Sequence, residues 1–366
     1  MRIQGDKEAF LETMQGILRV VSPRATLPVL GGVRITAAKK EVEFAATDLE
    51  MFARVTSDMG VEEEGSVVVP GRLMNDILRS LESGKVVVSG SGAEVRIEAG
   101  RSEFSINAFP TADFPQIPEA TSGEVSKVGT EDLAKALKQV IRAASTDEAR
   151  PILTGVLWAM EAGTLKLAST DSYRVAAKQL VIKEGPSAAK AIIPGRALVE
   201  FSRQLANTTG EAEIWLGETQ AAFQAGNLQL VTRLIDGEFP NWERLVPQGY
   251  DKKLVVDRES FLAAVVRVSL VAQTNTPIKI HLADEVQLTA IESGVAEATE
   301  TVEGAQYSGT PMIIAFNPRF LAEGLEAAEG EKATIELIDP AKPAVIKGDG
   351  VDDFTYVVMP VRLPGS

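Results

Sequence analysis

The 366-residue sequence contains no cysteine. That removes disulfides, thiolate nucleophiles, Cys-ligated zinc and iron–sulfur clusters together. Its only histidine is His281, so no multi-histidine metal centre can be built. The alternation of Ile278, Ile280 and Leu282 around it reads as a strand with His281 on the solvent side. No window approaches the roughly eighteen uninterrupted apolar residues of a membrane-spanning helix, and no membrane partner is expected. The opening Met1-Arg2-Ile3-Gln4-Gly5-Asp6 lacks the apolar core of a signal peptide, so a cytoplasmic location is expected. Positive charge is the minority sign: 37 Lys and Arg stand against 51 Asp and Glu, a formal net charge of −14. An acidic surface repels phosphate, which excludes broad coating of nucleic acid but leaves room for one small basic face.

Catalytic signatures are missing as well. The nearest approach to a phosphate loop, Glu82-Ser83-Gly84-Lys85 before Val86, lacks the hydroxyl for Mg²⁺ and enters a strand. No Gly-x-Ser-x-Gly elbow exists to present a nucleophile. Asp349, Asp352 and Asp353 lack the spacing and terminal Glu of a calcium loop. Asp48 and Asp171 are the best carboxylates for acid–base work, but they recur in matched Thr-Asp motifs, which suits a turn in which Asp bonds its own backbone. No metal and no cofactor is expected.

What is present is a long internal repeat. Asp6–Ser22, Thr130–Ser145 and Asp257–Ala272 each read as a helix with a capping residue, acids in the first turn and an arginine near the end. Those arginines, Arg19, Arg142 and Arg267, lie 123 and 125 residues apart. Pro28, Pro151 and Pro277 each precede a strand signal. Thr47-Asp48 matches Thr170-Asp171, and Asp113-Phe114-Pro115 matches Glu238-Phe239-Pro240. A second helix follows Arg72, Arg196 and Arg319. The period is too long for a solenoid and has the length of a whole domain. Three similar domains are therefore expected near 1–122, 123–250 and 251–366. Short alternating segments such as Val86–Val88 and Val95–Ile97 read as hairpins. Each domain then belongs to the α+β class, an antiparallel sheet with two helices. The residues alone leave open a carboxylate enzyme centred on Asp48 and Asp171, and a scaffold that binds only proteins.

Ordered motifs narrow this. Thr26-Leu27-Pro28-Val29-Leu30-Gly31, Thr47-Asp48-Leu49-Glu50-Met51, Ala112-Asp113-Phe114-Pro115, Asp236-Gly237-Glu238-Phe239-Pro240 and the run Tyr356-Val357-Val358-Met359-Pro360-Val361-Arg362-Leu363 occur in sequence. Over essentially its whole length the chain resembles the bacterial DNA polymerase III beta subunits, the replicative sliding clamps. The resemblance implies a head-to-tail homodimer of the DNA clamp fold, closed into a ring around duplex DNA. It implies sequence-independent DNA contact, no catalysis, a clamp loader that opens the ring, and a tethered replicative polymerase. The DNA-facing residues it implies are Arg19, Arg24, Arg72, Arg79, Arg142, Arg150, Arg196, Arg203 and Arg267. The six helical stretches carry a net charge of only −1, so the excess acid sits mainly elsewhere.

The resemblance also implies an apolar cleft for the peptide motifs of the polymerase and other partners. By position it would use Leu153, Thr170, Ser172, Tyr173, Arg174, Val175, Pro240, Leu245, Pro343, Val357, Met359, Pro360, Val361 and Arg362, with Tyr173 and Arg174 as polar anchors at the rim. Ser172-Tyr173 replaces the Gly-His of many members. Pro364-Gly365-Ser366 follow the Arg-Leu pair at which the family often ends. Phe104 on one side, and Leu270 and Val271 on the other, are the expected dimer contacts.

Overall fold

The computed structural model describes residues 1–21, 27–118, 124–272, 276–350 and 352–363. A strand running straight into a helix recurs in each sequence period. Arg2–Asp6 leads into helix Lys7–Leu18, Val125–Gly129 into Thr130–Val140, and Lys252–Asp257 into Arg258–Ser269. Later, Gly65–Pro70 leads into helix Gly71–Ser80, Ala188–Pro194 into Gly195–Leu205, and Met312–Phe316 into Pro318–Ala327.

The helices form where apolar residues return at helical spacing. Phe10, Met14 and Ile17 bury one face of Lys7–Leu18, and Phe261, Ala264, Val265 and Val268 do so for Arg258–Ser269. Asp257 caps its helix by accepting from the Ser260 N–H at 2.8 Å, and Asn317 accepts from Arg319 and Phe320. Asp6 makes no such side-chain bond. The first helices are shorter than their sequence patterns. Lys7–Leu18 stops before Arg19, and Thr130–Val140 tightens into the 3₁₀ turn Ile141–Ala143. Pro28 and Pro151 do not enter strands directly. Each opens a one-turn helix, Pro28–Gly31 and Pro151–Thr154, where the missing N–H is no loss.

The chain resolves into two compact units. The first comprises Met1–Ala134, Ile182–Pro186 and Arg196–Leu234. Its five-stranded sheet runs Gly60–Glu63, Arg2–Asp6, Lys85–Ser91, Glu94–Ala99, Ser102–Asn107, and leaves Ser102–Asn107 as an edge. Its eight-stranded sheet is closed across the repeats by antiparallel pairing of Leu228–Arg233 with Met51–Ser57, Leu230 opposite Ala53. Phe10 meets Phe44 edge-on at 6.3 Å, and Phe201 meets Phe223 at 4.9 Å. Each fully buried ring contributes about 1.5–3 kcal/mol from burial.

The second unit comprises Lys135–Val181, Ser187–Gly195 and Ile235–Ser366. Its nine-stranded sheet joins Arg174–Val181 to Phe354–Val358, Ala176 opposite Tyr356. A four-stranded sheet runs Ala296–Thr301, Val286–Glu292, Ile278–Leu282, Met312–Phe316. The core of this unit is a continuous cluster that includes Phe261, Val265, Leu288, Phe316, Leu321 and Tyr356. His281 is half-buried on Ile278–Leu282, and its Nε2 lies 3.0 Å from the Thr289 hydroxyl. The middle sequence period is divided between the two units because its strands hydrogen-bond into both large sheets.

Candidate functional site

The two Thr-Asp motifs fold alike. The Asp48 Oδ1 accepts from the N–H groups of Glu50 and Met51 at 3.1 and 2.8 Å, and Thr47 Oγ1 accepts from Leu49. Asp171 Oδ1 accepts from Tyr173 and Arg174 at 2.9 and 3.1 Å, and Thr170 Oγ1 accepts from Ser172. Leu49 and Ser172 occupy the same left-handed position, at φ 78° and 81°. The second oxygen of each aspartate meets an arginine, Arg196 for Asp48 and Arg174 for Asp171. These carboxylates are committed to turns and ion pairs, as their recurrence suggested.

The turn around Asp171 sends consecutive side chains in opposite directions. Tyr173 is exposed and stacks on Phe320 with centroids 6.4 Å apart and planes at 25°. Arg174 is only 3% exposed, so it is not the rim anchor that the resemblance implied. Its guanidinium lies 4.3 Å from the centre of the Phe320 ring, a cation–π contact strengthened by desolvation. It donates to Asp171 at 3.0 Å, to Tyr356 at 3.2 Å, to the Arg142 carbonyl at 2.5 Å, and to Glu323. Tyr356 in turn donates to the Phe320 carbonyl at 2.9 Å. Burial pushes the Tyr356 phenol up to about 12, with the Glu323 charge adding to the rise and the Arg174 guanidinium opposing it. Burial also opposes charge on Glu323, but bonds from Arg319 and Arg174 hold its carboxyl below the usual value.

This network fixes one wall of a cavity of about 370 Å³ lined by Tyr173, Phe320, Asn317, Thr276 and Pro277, with Met359, Pro360 and Val361 opposite. The Met359–Val361 segment is pinned by Met359 N–H to the Tyr173 carbonyl at 2.8 Å and Val361 N–H to the Ala315 carbonyl at 2.7 Å. Four of the expected cleft residues, Tyr173, Met359, Pro360 and Val361, thus meet in one cavity. Thr170, Val175 and Val357 do not reach it. They are buried, and the two valines pack with Val345 against Trp242, Val246 and Tyr250. Ser172, Pro240, Leu245 and Arg362 are exposed, and Leu153 and Pro343 half-buried, outside the lining of this cavity. Thr276, Pro277, Asn317 and Phe320 were missed. The Asn317-Pro318 pair marks a helix start, but nothing local says that Phe320 lines a cavity.

The arginines divide by environment. Arg19, Arg72 and Arg79 are exposed at or near the ends of helices in the first unit. Arg196 pairs with Asp48 at 2.6 Å and Arg203 with Glu200 at 2.5 Å, both more than half exposed. In the second unit Arg267 grips Glu300 with two nitrogens, at 2.5 and 3.1 Å. Arg150 pairs with Asp147 at 2.9 Å and reaches the Ser172 hydroxyl at 3.3 Å. Arg142 departs most from a solvent-facing contact. It is largely covered and donates to Glu326 and to the carbonyls of Glu323 and Lys138, because its helix tightens just before it. Arg24 and Pro364-Gly365-Ser366 lie outside the described residues.

Of the expected dimer contacts, Phe104 is half-buried on the edge strand Ser102–Asn107. Leu270 is 83% exposed at the end of helix Arg258–Ser269. Val271 is half-buried against the core of its own unit.

A twice-used Thr-Asp turn, accessible arginines on successive helix ends and a pre-shaped apolar cleft define a repeat-built protein that works by binding. Sequence models of the DNA polymerase III beta subunit match three stretches: the N-terminal domain residues 1–118, the central domain 127–241 and the C-terminal domain 243–362. The chain is 30% identical to the beta sliding clamp of Staphylococcus aureus over 368 residues, covering 97% of this chain and 98% of that one. Among solved structures, the sliding clamp of Bacillus subtilis matches with a TM-score of 0.93 and 27% identity over 100% of both chains. A Pseudomonas aeruginosa sliding clamp bound to griselimycin matches with a TM-score of 0.93 and 29% identity, over 99% of this chain and 100% of that one. The chain belongs to the DNA polymerase III beta subunit family: it is a DNA sliding clamp, a non-catalytic component of DNA replication. Among the described residues no helix is long and apolar enough to cross a membrane.

Proposed function

We propose that two copies of this chain close head to tail around duplex DNA and tether the replicative polymerase and other partners through peptides seated in the Tyr173–Phe320–Met359 cleft. The observation that carries this reading is the cleft itself. Met359 and Tyr173 are large, solvent-facing and held rigid by backbone hydrogen bonds, the condition in which apolar anchors bind without a large ordering cost. A topological hold on DNA needs no tight contact, so Arg19, Arg24, Arg72, Arg79, Arg150, Arg196, Arg203 and Arg267 touch phosphate without reading bases, while the covered Arg142 stays with Glu326 and the Glu323 and Lys138 carbonyls. The open edge of Ser102–Asn107 on one copy and that of Ala296–Thr301 on the other supply the seam, with Phe104 and Leu270 beside it. The periods 1–122, 123–250 and 251–366 act as three domains, and a clamp loader opens the ring in the cytoplasm.

The test is loading onto nicked circular duplex with a clamp loader, followed by linearisation. Retention on circles with loss after cutting supports the ring. Equal retention on both forms is surface binding and ends the proposal.

A further inference from the structure

Three accessible arginines of this chain come with carboxylates attached, whereas the exposed Arg19, Arg72 and Arg79 have no ion pair among the described residues. Arg196 pairs with Asp48, Arg203 with Glu200 and Arg267 with Glu300, all at 2.5–2.6 Å, and each arginine side chain stays more than half exposed. The partners come from unrelated places in the fold. Glu200 lies one helical turn before Arg203, Asp48 sits in the turn after strand Glu41–Thr47, and Glu300 is on strand Ala296–Thr301.

The repeat sharpens the point. Arg196 and Arg319 hold matched positions, yet Arg196 takes Asp48 while Arg319 takes Glu323 from its own helix at 2.7 Å. Arg142 and Arg267 are also matched, yet Arg142 takes Glu326 from helix Pro318–Ala327 and Arg267 takes Glu300 from a strand. The second and third copies have kept an acid on the matched arginine and changed where it comes from, while the first copy's Arg19 and Arg72 have no ion pair among the described residues. Inheritance of one ancestral ion pair does not produce that pattern.

We propose that Asp48, Glu200 and Glu300 attenuate the grip of Arg196, Arg203 and Arg267 on DNA, so that the clamp slides rather than sticks. This rests on the reading of those arginines as DNA-facing. A free arginine that meets a phosphate releases about 0.9 of a counterion and gains affinity. A paired arginine must first give up its carboxylate, which is then left beside the polyanion. The exchange swaps one anion for another, so both the affinity gained and the counterions released are small. Each contact becomes easy to make and easy to break, and the salt dependence of binding is shallower than the number of DNA-facing arginines implies.

The experiment compares the parent with Glu200→Gln/Glu300→Gln, which removes two attenuating charges and keeps side-chain length. Asp48 is left intact because its other oxygen holds the Thr47–Met51 turn. Binding of the full-length protein to a short duplex is measured by fluorescence anisotropy across a salt series, and diffusion of loaded protein by single-molecule tracking. The double variant is expected to bind about two- to five-fold tighter per freed arginine, to steepen the log–log salt slope by about 0.9 per freed arginine, and to diffuse more slowly. Unchanged affinity, slope and diffusion in a variant with the parental melting temperature overturn the proposal. Arg203→Ala and Arg267→Ala separate the two ideas. If, added to the Gln variant, they leave its binding unchanged, the DNA-facing reading has failed. If they weaken binding while the Gln variant matches the parent, the attenuation alone has failed.

Discussion

Arg174 offers the sharpest test of how the cleft is held. Replacing it with Met keeps much of the volume and removes the charge. The guanidinium makes bonds to Asp171, Glu323, Tyr356 and the Arg142 carbonyl, and lies over Phe320. Removing one partner from a fully buried ion pair costs about 3–5 kcal/mol, mostly from the charge left behind. Here part of that charge is rescued. Glu323 keeps Arg319 at 2.7 Å, Asp171 keeps two backbone N–H groups, and Tyr356 keeps the Phe320 carbonyl. Asp171 and Glu323 side chains are also 13% and 20% exposed, so water reaches them. The loss should fall to about 2–3 kcal/mol. Urea unfolding followed by tryptophan fluorescence reads it, since Trp158 and Trp242 lie in the same unit as Arg174. Partner-peptide affinity should fall about ten-fold at temperatures where the variant is folded, because Phe320 loses the cation behind it. Arg174→Lys should recover little, since an ammonium cannot serve four acceptors with the geometry of the planar fork. A loss below about 1 kcal/mol, or unchanged peptide affinity, would refute the network as the support of the cleft.

Other predictions follow from single contacts. Phe320→Ala should lower peptide affinity by about ten- to a hundred-fold with an unaltered circular dichroism spectrum; retained affinity would move the binding site elsewhere. A Cβ on Gly324 would sit 2.6 Å from two atoms of the Tyr356 ring, so Gly324→Ala should destabilise by about 1–2 kcal/mol despite its better helix propensity; a melting temperature at or above the parent's would contradict this packing. Leu270→Asp should leave the chain folded and shift it from dimer to monomer in sedimentation, whereas a dimer of parental mass would remove Leu270 from the seam. Burial opposes charge on Glu323 and Glu329, yet both carboxyls are held below their ordinary value of about 4.5: bonds from Arg319 and Arg174 lower Glu323, and Lys135 and Lys178 lower Glu329. Depressed folded-state values mean that their stabilisation is complete above that value and is lost as pH falls through the lower folded-state range. Melting temperature should therefore drop below about pH 4.5, less steeply in Glu329→Gln.

Much of this was legible because it is local. Asp48 and Asp171 close turns with groups two and three residues away, so repeated Thr-Asp motifs carried their own geometry. The helices announced themselves by spacing, and the expectation failed at the Asp6 cap, which makes no side-chain bond, and at C-terminal ends, where Thr130–Val140 tightens into Ile141–Ala143. The cleft was half legible. Met359, Pro360 and Val361 lie on one extended segment, whereas Phe320 reaches them from a helix some forty positions earlier, and nothing in its neighbours fixes that approach. Arg174 was misplaced for a related reason. A strand start alternates in and out, and the neighbour that faces solvent is decided by Glu323 and Tyr356, more than a hundred residues away in sequence. Ion-pair partners across elements, such as Glu300 for Arg267, have no sequence signal at all.

Distance does not separate the arginine pairs of this protein; surroundings do. Arg196 lies 2.6 Å from Asp48, closer than Arg174 lies to Asp171 at 3.0 Å. Arg196 is 58% exposed, so solvent and salt readily replace Asp48 on its side of the shorter pair, although the Asp48 side chain is only 6% exposed and keeps the Glu50 and Met51 N–H groups. In the interior the longer pair cannot be exchanged for water, because the guanidinium is only 3% exposed and its other donors are committed to Glu323, Tyr356 and the Arg142 carbonyl. In the proposed function one chemistry would perform two opposed tasks: exposed pairs would give way to a passing phosphate and re-form behind it, and the buried pair would hold Phe320 for a partner that must stay attached while the DNA moves. Salt should separate them. Between 0.15 and 0.5 M the Debye length shrinks from about 8 Å to about 4 Å. DNA contact should then weaken well before peptide affinity or the stability of the second unit changes. Parallel loss of both would mean that the cleft, too, depends on surface charge.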